Sequence, residues 1–164
     1  MARAQIEGLI LRAARGAGVD LAHAEDVAHA VAWWGDADTL RDLAASLTED
    51  VDRSTCRLGP GLIDQVQATG EVVEVPACCS LNVMRALCAA HHAQGGRAVI
   101  CVADAGLWQL SCAEPDAPPV PPKGRPDVPQ DVVAALTALA ANTYVPSTAE
   151  SHAAGAGAGT TDND

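Results

Sequence analysis

Phenylalanine is absent from this sequence, and aromatic residues together make up only 2% of it. A core without large rings has to be filled by Leu, Val, Ile, Met and Ala. Their small volumes let helices approach closely, but each buries little area. Positive charge is scarce as well: 10 Lys and Arg stand against 21 Asp and Glu, a formal net charge of -11. Nucleic-acid affinity comes largely from Lys and Arg displacing counterions, so nucleic acid is not an expected partner. The same sign opposes anionic membrane surfaces. Apolar runs all fall far short of the roughly 20 residues of a spanning helix, so no membrane association is expected.

Two further absences narrow the chemistry. There is no C-x-x-C pair among the six cysteines, Cys56, Cys78, Cys79, Cys88, Cys101 and Cys112, and zinc sites normally carry such spacings. There is no G-x-x-x-x-G-K-[ST] either, so a nucleotide phosphate loop is not indicated. The opening residues run straight into an amphipathic pattern without a basic start, apolar block and cleavage site. No secretory leader is therefore expected, and the cysteines read as free thiols of a cytoplasmic, reducing compartment.

What remains is a chain of 164 residues, 49% hydrophobic, enough for one domain with a core of its own. Ile6, Leu9, Ile10 and Ala13 recur on one face of a helix over residues 2–17, which Gly16 and Gly18 stop. Asp20 caps a second helix with an inner stripe of Leu21, Ala24, Val27, Ala28, Val31 and Trp34. Thr39 and Asp42 suggest a capping box for a third, with Leu40, Leu43, Ala44 and Leu47 inward. Residues 48–61 are polar and interrupted by Gly and Pro, and read as a loop, with at most a short helix over 62–66.

Residues 71–75 suggest a short strand that Pro76 keeps at an edge. Ser80 caps a helix reaching His92. The β-branched run over 98–103 reads as a buried central strand, and Asp104-Ala105-Gly106 as a three-residue hairpin loop into an alternating strand over 107–112. A proline-rich connector over 114–129 leads to a last helix whose core face is Val132, Val133, Leu136, Leu139 and Ala140. The fold class is α+β: an N-terminal helical layer packed with a small, mostly antiparallel sheet. A single globular domain over 1–142 is followed by a Gly/Ala-rich acidic tail over 143–164.

The tail gathers the residues with most chemical potential. Ser147, Glu150, Ser151 and His152 are followed by Gly155, Gly157 and Gly159, then by Asp162 and Asp164. Alternating glycines permit close backbone approach, and successive N–H groups can converge on an anion. Such a composition equally suits a flexible, solvated terminus. Asp162 and Asp164 leave two readings open: a site for a hard cation, or docking on Arg12 and Arg15, three apart on the first helix. Elsewhere, Cys78 and Cys79 precede a helix N-terminus, where the dipole lowers a thiol pKa; His91 and His92 lie at the far end of that helix, His152 is the freer candidate base, and apolar packing is the favoured reading of the pair. Cys88 and His92 share a helix face at i, i+4 but lack the further ligands of a zinc site. No metal and no cofactor is expected. Trp33 and Trp34 read as helix packing rather than a ligand cage, and His23 and His29 as surface residues.

Two stretches together resemble a known family. The first, I-E-G-L-I-L-R-A-A-R-G-A-G over 6–18, runs into A-E-D-V-A-H-A-V-A-W-W; the second is L-A-A-N-T-Y-V-P-S-T-A-E-S-H-A-A-G-A-G-A-G-T-T-D-N-D over 139–164. They are similar to the bacterial domain-of-unknown-function family numbered 3726, well over the first two helices and the tail and loosely between them. The family pattern carries Arg at the position of His152, so a titratable group stands here for a permanent charge. The family has no established activity, and the resemblance implies no chemistry. It does imply that the tail is part of the domain, ordered at least to Gly159.

These features lead to a small accessory or binding protein whose tail completes a recognition surface for a small anionic ligand or a partner protein. In that reading Glu150, Ser151 and His152 orient the ligand and Arg12 or Arg15 meets its charge. The alternative is a hydrolase or transferase acting on a small polar metabolite. There Glu150 or His152 is the acid/base, and Ser147, Ser151 or Cys79 the nucleophile. A homo-oligomer in which each tail reaches its neighbour is the third possibility.

Overall fold

The computed structural model describes residues 1–104, 106–113, 118–124 and 126–143. Every tail residue named above from Ser147 onward lies outside them, as does Ala105 of the hairpin. Among the described residues the elements run α1 (Arg3–Gly16), α2 (Leu21–Trp34), α3 (Ala37–Glu49), a 3₁₀ turn (Val51–Arg53), α4 (Thr55–Thr69), β1 (Val73–Glu74), α5 (Leu81–Ala93), β2 (Val99–Asp104), β3 (Leu107–Cys112) and α6 (Gln130–Ala141). Six helices and a three-stranded antiparallel sheet make an α+β domain. No described helix is long and apolar enough to cross a membrane.

The helices pack in a continuous stack. α1 lies between α2 and α6, α2 rests on α5, and α3 bridges α5 and α6. Ile6, Ile10, Val27, Val31, Leu40, Leu43, Met84 and Leu136 are each at most 1% exposed, and buried alanines on α1 and α2 let the axes come close. The sheet sits on α4 and α5 rather than on the N-terminal helices.

Five expectations are corrected. Residues 48–61 are not a loop: α4 begins at Thr55 and carries Pro60 inside it. Gly59 is no breaker there, because a Cβ at that position would stand 2.7 Å from Leu87 Cδ1 and 3.0 Å from Met84 Sδ; it lets α4 close on α5. The cap of α3 is Asp36, whose Oδ1 accepts from Thr39 N at 2.8 Å and Thr39 Oγ1 at 2.8 Å, so the helix starts a turn early and Asp42 is released for other contacts. β2 is an edge strand, since the order is β1-β3-β2; Ile100 and Val102 are exposed on the outer face, and β3 is central. Asp104 pairs with Leu107, so the hairpin connection has two residues, with Gly106 at φ +85°. On α2, Leu21 is 49% exposed and lies outside the inner stripe.

The Asp36 cap gives a direct prediction. Its hydrogen bonds from the Thr39 backbone and side chain hold the carboxyl below its ordinary value of 3.8. A depressed folded-state pKa contributes stability above the ordinary value, and that contribution is lost as pH falls through the depressed one. Asp36→Ala is therefore expected to cost about 1 kcal/mol at pH 7, with the gap to the parent narrowing below pH 3.8 in chemical denaturation.

Glu7 and Arg3 fix the start of the chain. Glu7 accepts from Trp33 Nε1 at 2.9 Å and meets His29 Nδ1 at 3.2 Å. Arg3 donates to the carbonyls of Ala32, Trp33 and Pro122, tying the proline-rich connector to the end of α2. The two tryptophans are half-buried packing groups, as expected, although His29 is engaged rather than free on the surface.

Candidate functional site

Three places gather polar or titratable side chains. The first is the end of α1. The side chains of Arg12 and Arg15 are exposed there and make no hydrogen bond or ion pair with any described residue. α6 ends beside them: Asn142 Nδ2 donates to the Gly16 carbonyl at 3.4 Å. Thr143, the last described residue, therefore lies near the C-terminal turn of α1. Where Glu150, Ser151, His152 and the glycines go lies outside the described residues.

The second is an open cavity of about 520 Å³ between α3, the 3₁₀ turn and the segment leading into α5. α3 presents Asp42, Ser46 and Glu49 at i, i+4 and i+7, along one face. Asp50, Arg53 and Ser54 come from the turn, and Cys78, Cys79 and Ser80 from the entry to α5. One bond set locks the far wall. Asp42 Oδ2 accepts from Ser80 Oγ at 2.8 Å and from Asn82 Nδ2 at 3.0 Å. Ser80 Oγ in turn accepts from Val83 N at 3.3 Å, capping α5, and Ser80 N donates to the fully buried Thr55 Oγ1 at 2.6 Å.

The buried thiols of this cavity fit the packing reading of the cysteines rather than an activated nucleophile. Burial first, then the neighbouring Cys78, pushes the Cys79 thiol up to about 11, against the hydrogen bond with the Thr55 hydroxyl. Below it, burial pushes Cys56 up to about 12 against hydrogen bonds from Ser46 and Ser54. His91 and His92 stand at the other end of α5, about 18 Å along the axis from Cys79 at 1.5 Å per residue. Neither serves Cys79 as a base. Cys78 is the one exposed thiol of the six, none of which forms a disulfide.

The third is a smaller pocket, about 160 Å³, that Asp26, Pro60, Ile63, Asp64 and His91 help to line. The His91 ring lies against Gly96, where any Cβ would overlap it, and its Nε2 is buried without a partner among the described residues. Enclosure first, then the Asp64 carboxylate, pushes the Asp26 carboxyl up. A raised folded-state pKa contributes stability below the ordinary value of 3.8, and that contribution is lost as pH rises through the raised one. Ionised Asp26 is thus a liability at neutral pH. Asp26→Asn is expected to raise the melting temperature at pH 7 and to give no gain at pH 3, as thermal melts at the two pH values would show.

Among the described residues no three His, Cys, Asp or Glu side chains converge as a metal site. Cys88, beside His92 on α5, is a buried thiol pushed up to about 12 by desolvation. Sequence reasoning singled out Cys78 and Cys79 but missed Asp42, Thr55 and Ser54. The available signal was Asp36, three residues before Thr39, which makes the assigned Thr39–Asp42 capping box redundant.

Scans against family models, curated proteins and solved structures find no match to this chain. The likeness of residues 6–18 and 139–164 to the domain family numbered 3726 therefore rests on those residues alone.

Proposed function

We propose that this protein binds a small, amine-bearing polar ligand in the cavity at the start of α5 and acts as an accessory or binding protein. The observation that carries this is the convergence of side chains from three chain segments on one concave site. Asp42, which lines it, is held by bonds from Ser80 and Asn82, and Glu49 and Asp50 line it with one cation, Arg53. A concave site with a few convergent polar groups is the ordinary form of a ligand pocket. The carboxylates outnumber the guanidinium, which favours a cationic or zwitterionic ligand over an anion. A thiol held neutral beside no base favours binding over nucleophilic catalysis.

A second reading is favoured by the bond from Asn142 to Gly16, which brings the end of α6 to the helix that carries Arg12 and Arg15. In it the tail, with Glu150, Ser151 and His152, completes a surface for a small anion or a partner protein. Thermal-shift screening against cationic, zwitterionic and anionic metabolites separates the two. Amine-bearing compounds should stabilise the intact chain and a chain ending at Asn142 alike, and lose their effect in Glu49→Gln/Asp50→Asn. Stabilisation by anions only, abolished by the shorter chain, would establish the second reading and sink the first.

A further inference from the structure

Cys78 is the only cysteine that is both exposed and set on the wall of a cavity with a charge signature of its own. Cys56, Cys79 and Cys88 are buried, and Cys101 and Cys112 are half-buried against the core. The turn that presents Cys78 is fixed, with Cys79 N donating to Pro76 O at 2.9 Å and Ser80 N to Thr55 Oγ1. Glu49, Asp50 and Arg53 line the same cavity. A group attached to the Cys78 sulfur therefore has about 520 Å³ of adjoining space and carboxylates able to pair with an ammonium.

We propose that Cys78 is a modification site for aminothiols, which it takes up as a mixed disulfide whose ammonium arm is received by Glu49 and Asp50. The step is thiol–disulfide exchange with a low-molecular-weight disulfide as the oxidant. The Cys78 sulfur, as thiolate, attacks one sulfur of the disulfide; a new S–S bond forms, the old one breaks, and the second half leaves as a thiolate that takes up a proton. The protein thiol is oxidised to the mixed disulfide and half of the reagent is reduced to thiol. Cys79 is buried, and burial pushes its thiol up to about 11, which slows closure of the adduct to a Cys78–Cys79 disulfide.

This deepens the ligand reading of the cavity and rests on it. The test exposes the intact chain to three disulfides of similar size: cystamine (cationic), 2-hydroxyethyl disulfide (neutral) and dithiodiglycolate (anionic). Whole-protein mass and peptide mapping follow each reaction. One adduct on Cys78 is expected in the parent and in Cys79→Ser, and none in Cys78→Ser. Cystamine should react about tenfold faster than the neutral reagent, and dithiodiglycolate slowest. That order should flatten in Glu49→Gln/Asp50→Asn, which leaves most of the chain's negative charge in place. Adducts on Cys101 or Cys112, a loss of two hydrogens in place of an adduct, or an order untouched by the double variant would overturn the proposal. A thermal shift of Cys78→Ser by 1,4-diaminobutane tests the cavity separately. Its absence sinks the ligand reading even where Cys78 reacts, and its presence leaves that reading standing where Cys78 does not.

Discussion

Leu136→Ala lowers the free energy of unfolding by about 2–5 kcal/mol. Leu136 is 0% exposed, on the face of α6 that packs against α1 and α3. Truncation removes three methyl or methylene-type carbons from a closed site, so the lost transfer energy adds to the cost of the void left behind. Its neighbours on the same face, Val132 and Ala140, are too small to collapse into that space without moving α6 itself. Urea denaturation at pH 7 measures the effect. Thr137→Ala is the internal control, because Thr137 is exposed and its hydroxyl only bonds back to the Val133 carbonyl. A loss below 1 kcal/mol for Leu136→Ala would mean that α6 does not dock as described.

That helix was legible in the sequence because its apolar residues keep a 3.6-residue period and Pro129 marks its start. α5 was legible for the same reason, with Ser80 as its cap. α4 was hidden because Gly59, Pro60 and Gly61 are read as punctuation. Their local preferences are outweighed by packing, since Gly59 brings α4 against Leu87 and Met84. β2 was misplaced for a different reason: a run that is apolar on both faces reads as central, yet its outer residues Ile100 and Val102 face solvent. Periodicity reports which faces are apolar, not which strand a sheet puts in the middle.

The candidate site was less legible than the fold. Its parts come from residues 42–54 and 78–80, and no local pattern links them. The bonds from Ser80 and Asn82 to Asp42 span 38 and 40 residues. Cys78 and Cys79 drew notice through their adjacency; the packing reading fits the buried Cys79, whose thiol burial pushes up to about 11. In the tail, composition and resemblance are the only guides, and Arg12 and Arg15 gain their interest from the place where α6 ends.

Two glycines of α1 should respond to the same substitution with opposite sign. On helix propensity alone, Gly→Ala in a helix stabilises by about 0.5–1 kcal/mol. At Gly8 the new methyl would meet only Arg12 Nη1, at 3.7 Å, an ordinary contact that leaves the propensity gain intact. At Gly16 the methyl would overlap the Leu139 carbonyl oxygen and carbon and stand 3.4 Å from Asn142 Cβ. Backbone in the last turn of α6 cannot swing aside as a side chain can, so α1 and α6 must separate. Overpacking of this kind costs about 1–3 kcal/mol, more than the propensity gain, and the net effect of Gly16→Ala is a loss. Equilibrium unfolding of the two variants reads the sign. Hydrogen exchange locates it: amides of α6 should lose protection in Gly16→Ala and keep it in Gly8→Ala. The same separation breaks the Asn142–Gly16 bond and moves the end of α6 away from α1. If Arg12 and Arg15 belong to a tail-dependent anion site, Gly16→Ala weakens it without touching any ligand group. Binding in the Glu49–Asp50 cavity, which α1 does not line, should be unchanged in the fraction still folded.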